Sequence, residues 1–324
     1  MTFDSADTTA MAPLRIAHKK EIAQDIVQFE LRDSDGAELP SFTAGAHIAL
    51  QTPGGLLRDY SLCNDPDERD RYLIAVKREG AGGGGSASLI EDTQSGDILK
   101  VAAPVNNFKL PARANNFLFI AGGIGITPII SMVRHLQNQP DKSFRLYYCT
   151  RSPEVTAFLA ELEAPDLKHR VTIHHDNGDP SRVLDLWPVL EQRKNQEHIY
   201  CCGPRPMMEA VRDMTGHWSS AAVHFESFTR ATVPRPDDKV FRVRLEHSNI
   251  EFDVPPGTTI LEAMRAHGME VPSSCESGTC GTCRTRLLEG EADHRDLVLA
   301  EHEKDASIMV CVSRSRSPRL VLDR

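Results

Sequence analysis

The sequence predicts three domains: an antiparallel β-barrel, a parallel α/β sheet and a small α+β domain. The first third contains short strand patterns separated by glycine, proline and aspartate turns. The middle third alternates strands with helices, and the last third carries three of the eight cysteines within nine residues. A chain of 324 residues is long enough for two or three domains.

The composition is that of an ordinary globular protein, with 40% hydrophobic and 26% charged residues. A net charge of −9 argues against nucleic acid or an anionic membrane as the main partner. Met1–Pro13 lacks the apolar core of a signal peptide, so we interpret it as a short arm. Phe117–Met132 is the longest apolar stretch, but glycines and a proline interrupt it. We expect a cytoplasmic protein that is not inserted in a membrane.

Residues 1–112 are assigned to the barrel domain. The predicted strands are Ile22–Leu31, His47–Gln51, Arg58–Cys63 and Tyr72–Lys77. A helix is predicted over Ser86–Thr93, directly after the glycine run Gly82–Gly85.

Residues 113–228 are assigned to the parallel sheet. Phe117–Ala121 is apolar without alternation, which is typical of a strand buried on both faces. The further predicted strands are Phe144–Thr150, Arg170–His175, His198–Cys202 and Val223–Phe228, and the predicted helices are Pro128–Leu136, Pro153–Glu163, Leu184–Gln192 and Pro206–Met214.

Residues 239–324 are assigned to the last domain, after a linker at 229–238 that contains Pro234 and Pro236. A hairpin is predicted from Val240–Leu245 and Ile250–Val254. A helix is predicted over Thr259–His267, capped by Thr258 or Thr259 with Glu262 near its third position.

Four cysteines of this domain have the spacing of a plant-type [2Fe–2S] site. Cys275, Cys280 and Cys283 give C-x4-C-x2-C, and Cys311 follows 28 residues later. The intervening residues are mostly small, so backbone N–H groups can approach inorganic sulfide. A structural zinc site is the alternative, although zinc sites usually pair two C-x2-C units. The cysteines Cys63, Cys149 and Cys201 lie in strand patterns and are interpreted as core residues.

A possible flavin site is formed by a strand and a glycine turn. Arg58-Asp59-Tyr60-Ser61 lies in a predicted strand, and Gly84-Gly85-Ser86 leads into a helix. A helix start presents free N–H groups to a phosphate, and an arginine can add a bidentate contact. Tyr60 could then lie on the flavin ring, and the Ser61 hydroxyl could reach its N5 edge. Each piece alone also fits a chance match or a flexible loop.

A possible nucleotide site lies where two predicted parallel strands end. Gly122, Gly123 and Gly125 follow the buried strand and open a helix, although their spacing differs from G-x-G-x-x-G. Cys202-Gly203-Pro204 ends another strand at the edge where parallel sheets bind ligands. An ordinary strand–helix turn is the alternative, but such a turn needs one glycine rather than three.

The next two strand ends favour NADH over NADPH. Thr150 is followed by the single cation Arg151, and the strand ending at His175 is followed by Asp176 and Asp179. Acidic groups accept ribose hydroxyls and repel a 2′-phosphate.

These motifs, in this order, resemble the phthalate dioxygenase reductase family of the ferredoxin–NADP reductase superfamily. The resemblance covers nearly the whole chain and implies a flavin barrel, an NADH domain and a β-grasp plant-type ferredoxin domain. It implies FMN, with its phosphate held by Arg58 and the Gly84–Ser86 helix start, although FAD remains open. The positions that the resemblance places along the flavin are Asp59, Ala75, Val76, Lys77 and Thr127. It places Cys202 beside the nicotinamide and Phe228 against the flavin face.

The resemblance implies electron transfer in the catabolism of aromatic compounds. NADH delivers a hydride to the flavin, and the [2Fe–2S] cluster passes single electrons to a separate, Rieske-type oxygenase. We expect a monomer. The alternatives are an FAD reductase for a haem monooxygenase or a demethylating oxygenase, and a zinc-stabilised module without catalysis.

Overall fold

This computed structural model describes residues 11–79, 84–228 and 235–324. Most of the predicted N-terminal arm, Gly82, Gly83 and the first part of the predicted linker lie outside the described residues. Contacts divide the chain into two compact units, and the boundary between them lies close to residues 219–225. The first unit contains both the barrel and most of the parallel sheet. The domain limits at residues 112, 228 and 238 stay predictions.

The first domain is an antiparallel barrel, as predicted. Its strands are β1 (Met11–Ala23), β2 (Ile26–Arg32), β3 (His47–Gln51), β4 (Leu57–Ser61), β5 (Tyr72–Lys77) and β6 (Ile98–Ala102), and helix α1 spans Gly85–Glu91. The strands follow the order β4-β3-β6-β1-β2-β5. A bridge between Leu62 and Ile74 joins the two outer strands and closes the barrel.

Two sequence predictions in the barrel are wrong. The predicted strand Ile22–Leu31 contains the turn between β1 and β2, where Asp25 has a φ of 61°. Aspartate tolerates this left-handed conformation better than most residues, so a hairpin forms inside an apparently continuous pattern. The end of the predicted arm is also a strand, because β1 begins at Met11 and pairs with β6.

The second domain contains four parallel strands, and the central strand is apolar and buried after its first residue, Asn116. The strands are β7 (Asn116–Gly122), β8 (Ser143–Thr150), β9 (Val171–His175), β10 (Glu197–Cys202) and β11 (Val223–Glu226). Their order is β11-β10-β7-β8-β9, with β10, β7, β8 and β9 parallel. The chain moves from β7 to β8 and β9 and then returns to β10 on the other side of β7. Such a reversal opens a ligand crevice at the carboxyl ends of the strands.

The helices of this domain are α2 (Ile126–Gln137), α3 (Leu159–Leu162), α4 (Trp187–Leu190) and α5 (Arg205–Met214). The predicted helix Pro153–Glu163 is wrong in its first half, because Thr156 is extended and Phe158 has a φ of 59°. This turn buries the Phe158 ring under the Arg134 guanidinium, so tertiary packing overrides local helix propensity. The predicted helix Leu184–Gln192 is longer than the observed α4, which spans only Trp187–Leu190.

The third domain is a mixed sheet with one helix, α6 (Ile260–Ala266). Its strands are β12 (Phe241–Leu245), β13 (Ile250–Val254), β14 (Arg284–Glu289), β15 (Ala292–Asp293), β16 (Ser307–Met309), β17 (Arg314–Ser315) and β18 (Arg319–Leu322). The main sheet has the order β13-β12-β18-β14-β16. The hairpin β12–β13 is confirmed, and Thr259 caps α6 through a reciprocal bond with Glu262.

Asp238, the last residue of the predicted linker, contacts residues of the third domain. Asp238 pairs with Arg295 at 2.5 Å, and its side chain is only 4% exposed. Arg314 lies 3.6 Å from the same carboxylate. Among the described residues, no helix is both long and apolar enough to cross a bilayer.

Candidate functional site

The closure of the barrel brings two predicted flavin segments together. The Leu62–Ile74 bridge aligns Arg58-Asp59-Tyr60-Ser61 on β4 with Ala75, Val76 and Lys77 on β5. Ser61, Ala75 and Val76 are buried, and Lys77 is exposed. Burial raises the pKa of Tyr60 to about 12, so its hydroxyl stays protonated at neutral pH.

Arg58 lies across the start of α1. A Cβ atom on Gly85 would come 2.9 Å from Arg58 Nε, so a larger residue at this position would displace the guanidinium. Gly84 precedes the helix with a φ of 77°, which favours glycine. The Ser86 hydroxyl accepts a bond from the Glu79 N–H at 3.2 Å. A guanidinium beside a helix start fits the phosphate of a flavin, and the buried Ser61 hydroxyl beside β5 fits its ring.

Two glycine turns meet at the crevice of the parallel sheet. A Cβ atom on Gly125 would lie 2.2 Å from the Cys202 carbonyl oxygen, and one on Gly122 would lie 2.5 Å from Pro204 Cδ. A Cβ atom on Gly203 would lie 3.0 Å from the Gly122 backbone. The turn Gly122–Gly125 and the turn Cys202–Pro204 therefore pack backbone against backbone. Glycine is required here by this close approach, which the sequence pattern alone did not show.

The carboxyl ends of β8 and β9 lie along the same edge of the parallel sheet. Thr150 is buried, and its hydroxyl lies 2.9 Å from His175 Nδ1. The Asp176 N–H donates to the Thr150 carbonyl at 3.2 Å, and the Asn177 N–H donates to the Arg151 carbonyl at 2.9 Å. Arg151 is exposed and Asp176 is partly exposed. The structure thus places the predicted adenosine-side residues side by side.

The nucleotide turn lies next to the predicted flavin strand. Residues of β5 come within 8 Å, Cα to Cα, of the Gly123–Gly125 turn. Thr127 follows this turn in α2, is buried, and donates to the Ile124 carbonyl at 3.1 Å. Phe228 follows β11 and is 49% exposed. The position of this ring against a flavin stays a prediction.

The four predicted cluster ligands form two pairs of thiols. The Cys280 thiol is close enough to Cys275 to shift its pKa, and the Cys311 thiol stands in the same relation to Cys283. The Cys280 thiol, and then the Thr279 and Ser277 side chains, lower the pKa of Cys275 to about 4. The N–H groups of Ser277 and Thr279 also donate to Cys275 Sγ at 3.5 and 3.4 Å. The Cys311 thiol likewise lowers the pKa of Cys283.

Two pairs of thiols fit a cluster with two irons, each of which takes two cysteine ligands. Across the described ranges, no three His, Cys, Asp or Glu side chains are grouped closely enough to hold one metal ion. Gly278 and Gly281, between the ligands, have φ values of 75° and 82°. A Cβ atom on Gly278 would lie 2.7 Å from Val312 Cγ2, so the loop passes close to the segment that carries Cys311.

The other cysteines lie as predicted. Cys63, Cys149 and Cys201 are buried, and burial raises the pKa of each thiol. Cys202 is also buried, directly before the glycine of its turn.

The sequence prediction missed two residues at these sites. Met207 Sδ would lie 3.0 Å from a Cβ atom on Gly122 and 3.1 Å from one on Gly203, so its side chain packs on both turns. Its place three residues after Pro204, at the start of α5, is the only signal in the sequence. Asn64 is fully buried after β4 and carries no motif at all.

The fold and these sites define a class: an oxidoreductase with flavin, NAD and [2Fe–2S] domains. Residues 13–110 match the family model of the oxidoreductase FAD-binding domain, and residues 119–213 match the oxidoreductase NAD-binding domain. Residues 243–316 match the 2Fe-2S iron-sulfur cluster binding domain. This last match favours the iron–sulfur interpretation over zinc.

The chain belongs to the phthalate dioxygenase reductase family. It is 54% identical over 310 residues to phthalate dioxygenase reductase of Burkholderia cepacia, covering 96% of both chains. It is 52% identical to the phthalate 4,5-dioxygenase oxygenase reductase subunit of Pseudomonas putida, again over 96% of both. A solved structure of phthalate dioxygenase reductase is 53% identical, with a TM-score of 0.71 over 97% of this chain and 98% of that one. The three-domain architecture predicted from the sequence is confirmed.

Proposed function

We propose that this protein is the NADH-dependent reductase component of an aromatic-ring oxygenase. The observation that carries the proposal is the identity of 54% along 96% of a phthalate dioxygenase reductase, together with all three cofactor domains in one chain. A bound flavin accepts a hydride as two electrons and releases them singly, and a [2Fe–2S] centre carries one electron at a time.

The flavin is proposed to be FMN rather than FAD. Arg58, which lies beside Gly85, and the start of α1 would contact one phosphate. The Gly54 N–H donates to Ser88 Oγ at 3.0 Å, so the turn between β3 and β4 lies against this helix. Flavin released by heat should show unchanged fluorescence after phosphodiesterase treatment. An increase in fluorescence, which marks cleavage of FAD, would contradict FMN.

The residues of the first unit are proposed to bind and orient the reactants. Arg58, Gly84, Gly85 and Ser86 hold the flavin phosphate, and Ser61 donates to the N5 edge. The remaining proposed flavin contacts are Asp59, Tyr60, Ala75, Val76, Lys77 and Thr127.

For NADH, the two packed glycine turns bind the pyrophosphate and the nicotinamide ribose, with Cys202 beside the nicotinamide. The proposed contacts are Gly122, Gly123, Gly125, Thr150, Arg151, Asp176, Cys202, Gly203 and Pro204. Phe228 is proposed to cover the flavin face until nicotinamide enters.

In the second unit, Cys275, Cys280, Cys283 and Cys311 would hold the cluster. The N–H groups of Ser277 and Thr279 already donate to Cys275 Sγ. Such bonds stabilise negative charge on the ligands and tune the reduction potential.

The electron acceptor is proposed to be a Rieske-type oxygenase, and the protein a cytoplasmic monomer. The eight cysteines, all of them described residues, form no disulfide with one another, which suits a reducing compartment.

The test is a reconstituted assay. The purified holoprotein is mixed with NADH and the oxygenase component of a phthalate dioxygenase, and NADH oxidation is compared with phthalate consumption. We expect phthalate consumption, and NADH oxidation beyond the first reduction of the flavin and cluster, to require the two proteins together. NADH oxidation without any product, while a haem monooxygenase accepts the electrons, would overturn the proposed partner.

A further inference from the structure

Helix α2 begins directly after the Gly123–Gly125 turn, and one side of it contacts the barrel. The Ser131 hydroxyl donates to the Asn64 carbonyl at 2.8 Å, and Arg134 Nη1 donates to the Cys63 carbonyl at 2.6 Å. Cys63 and Asn64 lie just beyond the end of β4. The helix that starts at the nucleotide turn therefore holds the end of the strand that carries the proposed flavin contacts.

The side chain of Asn64 connects the same point to β5. Its Oδ1 accepts from the Leu73 N–H at 3.0 Å, and its Nδ2 donates to the Arg71 carbonyl at 3.0 Å. The Cys63 N–H donates to the Leu73 carbonyl at 2.8 Å. Asn64 and Ser131 are both fully buried, so water does not compete for these bonds.

Arg134 is held in one orientation. Its Nε and Nη2 pair with the Glu161 carboxylate at 2.7 and 2.5 Å, and its guanidinium lies 5.4 Å from the centre of the Phe158 ring. A bidentate pair fixes the plane of a guanidinium. Its Nη1 therefore points at the Cys63 carbonyl with little freedom.

We propose that Asn64, Ser131 and Arg134 form a brace that sets the spacing between the nucleotide turn, Gly123–Gly125, and the strands β4 and β5 that carry the proposed flavin contacts. The three residues act as positioning residues for hydride transfer. This inference rests on the proposed function. Hydride transfer needs reacting atoms about 3–3.5 Å apart, so a small displacement of α2 against β4 and β5 changes the rate. The contacts join residues about 70 positions apart in the chain and match no sequence motif.

The first test is stopped-flow reduction of the bound flavin by NADH in Ser131→Ala, Arg134→Met and Arg134→Lys. We expect the limiting rate of flavin reduction to fall about 10- to 100-fold in Ser131→Ala and Arg134→Met. The NADH concentration that gives half of this rate should stay within about threefold of the wild-type value. Arg134→Lys keeps a donor for the Cys63 carbonyl and should recover part of the rate.

Thr215→Val is the matched control. Thr215 is also buried, and its hydroxyl donates to the Val211 carbonyl at 2.7 Å, at the end of α5. The control loses a buried hydroxyl and its bonds to the Val211 and Arg212 carbonyls without touching the brace. Its flavin reduction rate should stay within about twofold of the wild type.

The second test uses protein freed of flavin. We expect the Leu73 N–H to exchange with deuterium at least about threefold faster in Ser131→Ala than in Thr215→Val, because loss of the Ser131 bond loosens Asn64. FMN should still bind with a Kd within about threefold of the wild type, since Arg58 and α1 are unchanged.

The outcomes separate the two hypotheses. If NADH does not reduce the flavin of the wild type, the proposed function fails. If it does, but Ser131→Ala and Arg134→Met reduce their flavin as fast as Thr215→Val, the brace is not a positioning device. A rate loss that is matched by an equal loss of FMN affinity would also overturn it.

Discussion

The sharpest prediction concerns Gly125, at the contact between the two glycine turns. In Gly125→Ala, the new Cβ would lie 2.2 Å from the Cys202 carbonyl oxygen, 2.5 Å from its carbonyl carbon and 2.9 Å from the Gly203 nitrogen. Real Cβ contacts are almost never under 3.0 Å, so the turns must separate by at least about 0.8 Å. All three atoms belong to the backbone, and no side chain can move away to relieve the contact.

Two effects should follow from this displacement. Overpacking costs about 1–3 kcal/mol of unfolding free energy, which lowers Tm by about 2–12 °C in a unit of this size. A misplacement of about 1 Å near reacting atoms can cost about 100-fold in rate, so kcat/KM for NADH should fall about 10- to 100-fold. The visible spectrum of the cluster should not change.

The assay measures NADH-dependent ferricyanide reduction beside a melting curve. Gly216→Ala is the matched control, because its Cβ would meet only the Asp213 carbonyl, at an ordinary 3.6 Å. The control should stay within about 0.5 kcal/mol of the wild type and keep its kcat/KM. If Gly125→Ala matched the control in kcat/KM for NADH, the two turns would not form the nucleotide site.

Four further predictions concern the other sites. Cys280→Ser should lose the cluster absorbance but keep the flavin, and should reduce ferricyanide but not cytochrome c; full activity with cytochrome c would mean that electrons do not leave through the cluster. The kcat/KM for NADH should exceed that for NADPH by at least about tenfold, or ~1.4 kcal/mol. Asp176→Ser should reduce this ratio. Equal kcat/KM values for the two nucleotides in the wild type would refute the role of Asp176. Phe228→Ala should leave Tm nearly unchanged, since the residue is 49% exposed. It should speed nicotinamide binding or weaken the selectivity for NADH over NADPH. Normal hydride-transfer kinetics would remove Phe228 from the active site. Burial, and then the neighbouring His198, lower the pKa of His224 from 6.5 to about 4, so the unfolded chain binds the proton first and the free energy of unfolding falls as pH drops from about 6.5 to 4, by up to about 3 kcal/mol. Urea unfolding should show a loss of about 2 kcal/mol between pH 7.5 and pH 5 in the wild type and a smaller loss in His224→Gln.

The sequence identified those features that local chemistry determines. Three cysteines at C-x4-C-x2-C and a fourth 28 residues later predicted an iron–sulfur cluster, and the match of residues 243–316 to the 2Fe-2S domain agrees with that prediction. Three glycines after an apolar strand predicted the nucleotide turn, and the structure supplies the reason, which is the approach of Gly125 to the Cys202 carbonyl.

The features that the sequence did not reveal depend on contacts between distant residues. Phe158 adopts a left-handed conformation because its ring packs under Arg134, and no local pattern announces this. Asn64 and Ser131 are 67 residues apart and look like an ordinary loop residue and an ordinary helix residue. Local propensity is weak information wherever tertiary packing competes with it.

The measurement that tests the central claim most directly is anaerobic mixing of the purified holoprotein with NADH, followed by visible absorbance and electron paramagnetic resonance. We predict that the flavin absorbance bleaches first and that the paramagnetic signal of a reduced [2Fe–2S] cluster then appears in the wild type. In Cys280→Ser, the flavin should bleach without that signal. A cluster signal that appears before any flavin bleaching, or a protein that NADH leaves unchanged, would contradict the account.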